Sequence, residues 1–418
     1  MLATNPTNVH RYVSQKAALF EESVIRKMTQ VCLAHHGVNL AQGFPDFPTP
    51  PELQEACCKA VRDGFNQYAR TWGAPAMVEA LAEKVRWFNG MEIDPNTQVT
   101  ICCGTTEAMI SALLATVNPG DEVIVTSPFY ENYGADAILC GATPRYVTLH
   151  PQPPSPYKGE GRGGVSFVFN PDELRAAFNN KTRAIIVNTP NNPTGKVYTR
   201  EELQLIADLC IQHDVLAFTD EIYEHILYDG RQHISLATLP GMAERTITIS
   251  GLSKTYSVTG WRVAWAIASP PITAAIRKVH DFLTVGAPHP MQIAGAAALR
   301  LPRAFYDQLG KEYAHRRDVM WAGLQRAGFQ GFYPEGAYYI MVDLAPFLRP
   351  GGTSAEADED DTAFALRLIK DAGVATVPGS SFYNPPSLGH KQTRFCFCKT
   401  DATLNAAADR LATWAGRR

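Results

Sequence analysis

The 418-residue chain has no uninterrupted apolar run of 18 residues and no excess of basic charge, its 38 Lys and Arg facing 41 Asp and Glu for a net charge of -3. The first absence leaves no candidate membrane-spanning helix. The second removes the electrostatic footprint of a nucleic-acid binder or a protein drawn to an anionic membrane. Met1 to Ser14 contain no positive segment leading into an apolar stretch, so no secretory signal is read there and the expected compartment is the cytoplasm. Among nine cysteines there is no C-x2-C pair. Cys57-Cys58, Cys102-Cys103 and Cys396-Phe397-Cys398 therefore read as free thiols of a reducing compartment, with no metal site expected. Internal repeats are also absent.

What remains is an ordinary globular composition, 45% hydrophobic and 19% charged, at a length that suits two or three domains. A helix is expected over about Leu19 to His35, with Gly37 as its C-cap. Residues 38 to 51 hold four prolines and a glycine and form a fixed-shape loop, either a plain linker or one whose backbone at Gly43 approaches a ligand. Helices follow over 51 to 63 and up to Trp87, then a strand at Val99 to Cys102. From there strands alternate with helices: strands at 122–126, 143–148, 183–188, 215–220 and 246–250, and a capping box, Thr199-Arg-Glu-Glu202, opening a helix to His213. Alternation of this kind implies an α/β domain with a mainly parallel sheet covered by helices. The Pro- and Gly-rich residues 151 to 165 read as an exposed excursion. After about Gly310 the pattern changes to a smaller α+β domain, with a helix over 311–327, strands at 338–343, 374–377 and 394–397, and helices over 362–372 and from 403. An acidic run at Glu356 to Asp361 reads as a solvated loop. The expected division is an N-terminal arm, 1–50, packed with the small domain, a large domain, 51–309, and a small domain, 310–418.

Ligands of open parallel sheets sit at the carboxyl ends of the strands. Three such ends carry reactive side chains: Asn188 and Asn192, Asp220 and Tyr223, and Lys254 in Ser250-Gly-Leu-Ser253-Lys254. Lys254 is bracketed by small residues after a β-branched strand. Burial lowers the pKa of an amine, and a neutral amine can form a Schiff base with an aldehyde; a solvated surface lysine is the plain alternative. Gly104-Thr105-Thr106, at the start of a helix, offers backbone N-H groups and hydroxyls to a phosphate and serves equally well as a simple cap.

These segments, with Gln42-Gly43-Phe44-Pro45-Asp46-Phe47, Asn66-Gln67-Tyr68, Gly260-Trp261-Arg262 and Arg394-Phe-Cys-Phe, resemble the fold-type I aminotransferases, most closely their kynurenine aminotransferase and glutamine transaminase branch. The resemblance implies pyridoxal 5'-phosphate as cofactor and transfer of the α-amino group of an L-amino acid to a 2-oxo acid. It implies that Lys254 joins the cofactor and moves the substrate proton, that Asp220 pairs with the ring nitrogen, and that Asn192 and Tyr223 bond the ring oxygen with support from Asn188. Tyr130 would stack on the ring. Gly104, Thr105, Thr106, Ser250, Ser253 and Arg262 would hold the phosphate, joined by Tyr68 from the neighbouring subunit of a homodimer. Arg394 would clamp the substrate carboxylate, with Gly43, Asn192, Ile25 and Tyr338 also touching substrate.

The chain departs from the family pattern in three places. Gly251 stands where many members have a hydroxyl, Ile25 where aromatic-preferring members have Trp, and Ala287-Pro288 where they have Phe-His, with His289 one position on. Two other readings share the cofactor: a β-lyase of cysteine S-conjugates, and a non-catalytic regulator, for which a basic helix-turn-helix extension is missing.

Overall fold

The computed structural model describes residues 12–19, 22–152, 166–350 and 358–417. Its centre is an eight-stranded sheet in the spatial order Val99–Cys102, Ala264–Ile267, Thr246–Gly251, Leu216–Asp220, Thr182–Asn188, Glu122–Ser127, Thr143–Gln152, Ser166–Phe169. Neighbours from Thr246–Gly251 to Thr143–Gln152 run parallel. The four strands Glu122–Ser127, Thr182–Asn188, Leu216–Asp220 and Thr246–Gly251 are buried almost throughout, which explains their continuous apolar and β-branched runs in place of an alternating pattern. Register then does the positioning: Asn188 lies opposite Asp220, and Asp220 opposite Ile249. Two neighbouring parallel strands therefore end their carboxyl edges in one row, with Lys254 just beyond the third.

Ala264–Ile267 has no counterpart in the sequence reading. It returns antiparallel along Thr246–Gly251, with Gly251 opposite Ala264. A Cβ on Gly251 would lie 2.8 Å from the Ala264 Cβ and 3.0 Å from the Val263 carbonyl oxygen, so close packing of this return explains the glycine.

A second, antiparallel sheet has the order Gln330–Phe332, Tyr339–Asp343, Gln392–Cys396, Val377–Pro378. Val38–Asn39 pairs in parallel with Val374–Ala375, which ties the N-terminal segment to this part of the chain. The helix expected from 311 runs from Arg303 to Arg326, so positions 309 and 310 lie inside an unbroken helix.

Other expectations need correction. The first α-helix is Val24–Ala34, and Leu19 belongs to a separate 3-10 turn, Ala17–Leu19. The left-handed residue after it is His36, at φ 50°, rather than Gly37. The acidic run is not simply solvated. Asp360 caps the helix Asp361–Ala372 by accepting from the Ala363 N-H at 2.7 Å, and the buried Asp361 accepts from Ser380 N-H at 2.6 Å. Glu359 pairs with Arg367. Acidic groups at a helix start answer its unpaired N-H groups and dipole, a use that a count of charges does not reveal. Pro151 and Gln152 end a strand; residues 153–165 of the expected excursion, and 356–357 of the acidic run, lie outside the described residues.

Next to the carboxyl end of the strand Thr246–Gly251 lies a buried polar cluster. Lys84, on the helix Pro75–Phe88, places Nζ 2.6 Å from Glu224, and that carboxylate also accepts from Asn89 Nδ2 and Ser250 Oγ, each at 2.8 Å. Breaking a buried pair on one side strands the remaining charge. Lys84→Met is expected to cost about 3–5 kcal/mol of stability, and the Lys84→Met/Glu224→Gln double variant clearly less than the sum of its parts, read by urea unfolding.

Candidate active site

At the carboxyl edge of the large sheet a cavity of about 440 Å³ is lined by Lys254, Asp220, Asn188, Asn192, Tyr223 and Arg394. Thr105, Thr106, Ser253 and Arg262 line the same cavity. The Lys254 amine donates to the Gly43 carbonyl at 3.2 Å and faces the rings of Tyr223 and Tyr338 at 5.9 and 5.7 Å. Loss of water around the amine lowers its pKa to about 8.

Asp220 has been moved in the opposite direction. Burial raises its carboxyl pKa to about 6, against the opposing hydrogen bonds of Tyr133 Oη to Oδ2 at 2.7 Å and Ile222 N-H to Oδ1 at 3.2 Å. Asn188 braces this corner. Its amide donates to the Asp220 carbonyl at 2.9 Å and its Oδ1 accepts from the Asn192 N-H at 2.7 Å.

Arg394 enters from the second sheet, fully buried. Nη1 donates to Asn192 Oδ1 at 2.7 Å and Nη2 to the Ala41 carbonyl at 2.6 Å, while Nε is buried with no partner. The guanidinium lies 4.2 Å from the centre of the Tyr339 ring, whose hydroxyl meets that of Tyr223 at 3.0 Å. The loop read from its prolines is held carbonyl by carbonyl. Cys396 N-H reaches Leu40, Arg394 reaches Ala41, Lys254 and Tyr338 reach Gly43, and the Lys399 amine reaches Phe44. A Cβ at Gly43 would sit 2.1 Å from Tyr339 Oη, so only glycine permits this approach.

Beside Thr105, Gly104 has φ 87° and precedes the helix Thr105–Thr116. A Cβ there would fall 2.1 Å from Arg262 Nη2, so the guanidinium is laid flat on bare backbone beside the helix N-terminus. Arg262 itself adopts φ 55° and donates to the Thr259 carbonyl at 3.1 Å.

The structure thus brings most of the expected residues together, Ile25 and Tyr130 included. Three are placed elsewhere. Ser250 turns away, bonding Glu224 and the Glu221 carbonyl. Tyr338 does not line the cavity: it sits in the turn just before the strand Tyr339–Asp343 and donates its hydroxyl to the Gly43 carbonyl, while its neighbour Tyr339 faces the cavity. Tyr68 is 85% exposed and does not line the cavity within one chain. His289 likewise packs against Phe65 and the Gln67 carbonyl. Residues the sequence reading missed are Tyr133, Tyr339, Ser23, Arg26 and Glu131. Only Tyr339 carried a signal, its place next to a residue already singled out.

Residues 35–411 match the family model for aminotransferases of class I and II. The chain belongs to the class I and II aminotransferases. Kynurenine–oxoglutarate transaminase 1 of Homo sapiens is 39% identical over 393 residues, covering 91% of this chain and 93% of that protein. The N-succinyldiaminopimelate aminotransferase of Mycobacterium tuberculosis superposes with a TM-score of 0.88 at 35% identity, over 96% and 100% of the two chains. YbdL of Escherichia coli, whose structure was reported with a methionine aminotransferase function, superposes with 0.87 at 33% identity, over 96% and 99%.

This aminotransferase is a pyridoxal-phosphate enzyme that moves an amino group to a 2-oxo acid. Its residues fit the cofactor: an amine of lowered pKa, a buried carboxyl, and a helix N-terminus with two threonines and a guanidinium line one cavity. Gly104→Ala adds a Cβ into the Arg262 guanidinium and is expected to weaken cofactor binding by roughly tenfold or more, measured by titrating apoenzyme with pyridoxal phosphate. An unchanged far-ultraviolet circular dichroism spectrum confirms that the fold is retained.

Proposed function

We propose that Lys254, Asp220 and Arg394 are the working centre of a transaminase with broad tolerance for the donor side chain. The observation that carries this is their convergence, from three separate segments, on one cavity. When bound, pyridoxal phosphate supplies an aldehyde carbon that takes up the amino group and a ring that accepts the electrons left at Cα. The protein supplies the rest. Arg394 offers parallel donors to the α-carboxylate, which fixes the Cα-H bond toward Lys254. Lys254 Nζ, neutral above about pH 8, takes the Cα proton and returns it. Asp220, as carboxylate, keeps the ring nitrogen protonated; Tyr133 holds it in place. Asn192 and Tyr223 would bond the ring oxygen, Tyr130 would stack on the ring, and Thr105, Thr106, Ser253 and Arg262 would hold the phosphate.

Ile25 gives the wall an aliphatic surface where an aromatic box would need a large ring, which supports aliphatic and sulfur-containing donors alongside aromatic ones. An exposed apolar patch of Phe65, Tyr68, Phe282, Leu283 and Val285 supports a homodimer in which Tyr68 reaches the partner's phosphate site. The division into arm, large and small domains at about 50 and 309 is retained in the proposal, with the long helix Arg303–Arg326 spanning the second boundary. Nine free cysteines support a cytoplasmic location.

A panel of L-amino acids scored in single turnover for conversion of the cofactor from aldehyde to amine form tests the reaction. Conversion by several donors in the wild type, and loss of at least about a thousandfold in Lys254→Ala, are expected. Pyruvate released from a cysteine S-conjugate without an acceptor would assign β-elimination instead.

The pH dependence has a definite sign. Below about pH 6 Asp220 is protonated in the free site and must lose its proton to pair with the cationic ring nitrogen, so cofactor affinity rises with pH up to about 6 and levels off above it. Asp220→Asn should bind more weakly and lose that step, measured as Kd from pH 5 to 8 against the wild type, with the phosphate's own titration common to both.

A further inference from the structure

Once each expected anion is matched to its partner, one cation of the cavity is left over. The lining carries four basic side chains: Lys254, Arg262, Arg394 and Arg26. On the transaminase reading the first joins the cofactor, the second meets its phosphate and the third the α-carboxylate. Arg26 has no such assignment. It makes no hydrogen bond or ion pair among the described residues and is exposed to the cavity mouth. Glu131, the acidic group at the same mouth, accepts the Ser23 hydroxyl and lies beyond ion-pair distance of Arg26.

Position adds to the argument. Ile25 and Arg26 are consecutive in the first turn of the helix Val24–Ala34, and both line the cavity. The helix start is held by the Ser23–Glu131 bond, and Thr29 Oγ1 bonds the Ile25 carbonyl at 2.9 Å and Gln42 Oε1 at 3.3 Å. The same turn therefore presents an aliphatic surface and a free guanidinium side by side. A transaminase uses one cavity for two substrates in succession, so a wall of mixed character suits a pair that differs in side-chain polarity.

We propose that Arg26 is a specificity-determining residue that binds a distal carboxylate, so that the site takes dicarboxylic 2-oxo acids and their amino acids through Arg26 and apolar donors through Ile25. The proposal rests on the transaminase reading above for the placement of the α-carboxylate at Arg394. A guanidinium receives a carboxylate through two parallel N-H donors, and the exposed mouth keeps the gain modest and sensitive to salt.

The test compares kcat/KM for 2-oxoglutarate and for 2-oxohexanoate as acceptors in holoenzyme, with wild type, Arg26→Ala and Arg26→Lys. The ratio favouring the dicarboxylate should fall roughly five- to tenfold in Arg26→Ala, mainly through KM, recover in part in Arg26→Lys, and shrink in the wild type at high salt. An unchanged ratio, or equal losses for both acceptors, would overturn the proposal, the latter marking Arg26 as a support of the helix. Competitive binding of glutarate against pentanoate, followed by the absorbance of the bound cofactor, reads the same contrast without turnover. A wild type that transfers no amino group yet prefers glutarate through Arg26 loses the transaminase reading and keeps this one; a preference absent from the wild type sinks this one alone.

Discussion

The architecture depends on one buried guanidinium. Arg394 sits in the second sheet, yet its donors reach Ala41 of the N-terminal segment and Asn192 of a loop on the large sheet, so three distant stretches of chain meet at a single planar group. A charge removed from water must be answered by hydrogen bonds or it destabilises the fold. Two of its nitrogens are answered and Nε is not. On the proposed reading a carboxylate ligand supplies the acceptor for that remaining donor, so the group that locks the two sheets together is also the one assigned to substrate.

The loop Leu40 to Phe44 shows the same economy. Its carbonyls would be orphaned in any ordinary buried loop. Here the side chains that answer them include Arg394, Lys254 and Lys399. When the Lys254 amine is engaged elsewhere, Tyr338 Oη still holds the Gly43 carbonyl at 2.9 Å. Tyr338 therefore serves the site without lining the cavity.

Much of this was legible in the sequence. The inner strands, the capping box at Thr199 and the ends at Asn188 and Asp220 follow from periodicity and cap chemistry, since those signals act over a few residues. Ala264–Ile267 escaped because a four-residue apolar stretch has no period of its own and forms only against Thr246–Gly251. Ser250 and Tyr338 were drawn toward the site by nearness in sequence to residues that do line it. Their side chains follow the pull of Glu224 and Gly43, contacts made across 26 and 295 residues of chain. Tyr133 was invisible for the same reason: a hydroxyl at the start of a helix says nothing of a carboxylate 87 residues away.

The two titrating groups close the argument. Lys254 and Asp220 are opposite in charge, yet burial moves the amine down to about 8 and the acid up to about 6, each toward its neutral form. Their mutual attraction acts the other way and is outweighed. At neutral pH both still carry their charges, but each titrates close enough to it that a ligand bringing charges of its own shifts the balance of either group. Desolvation by the sheet's packed edge, more than any one hydrogen bond, lowers the pKa of this amine and favours the proton-transfer role proposed for it.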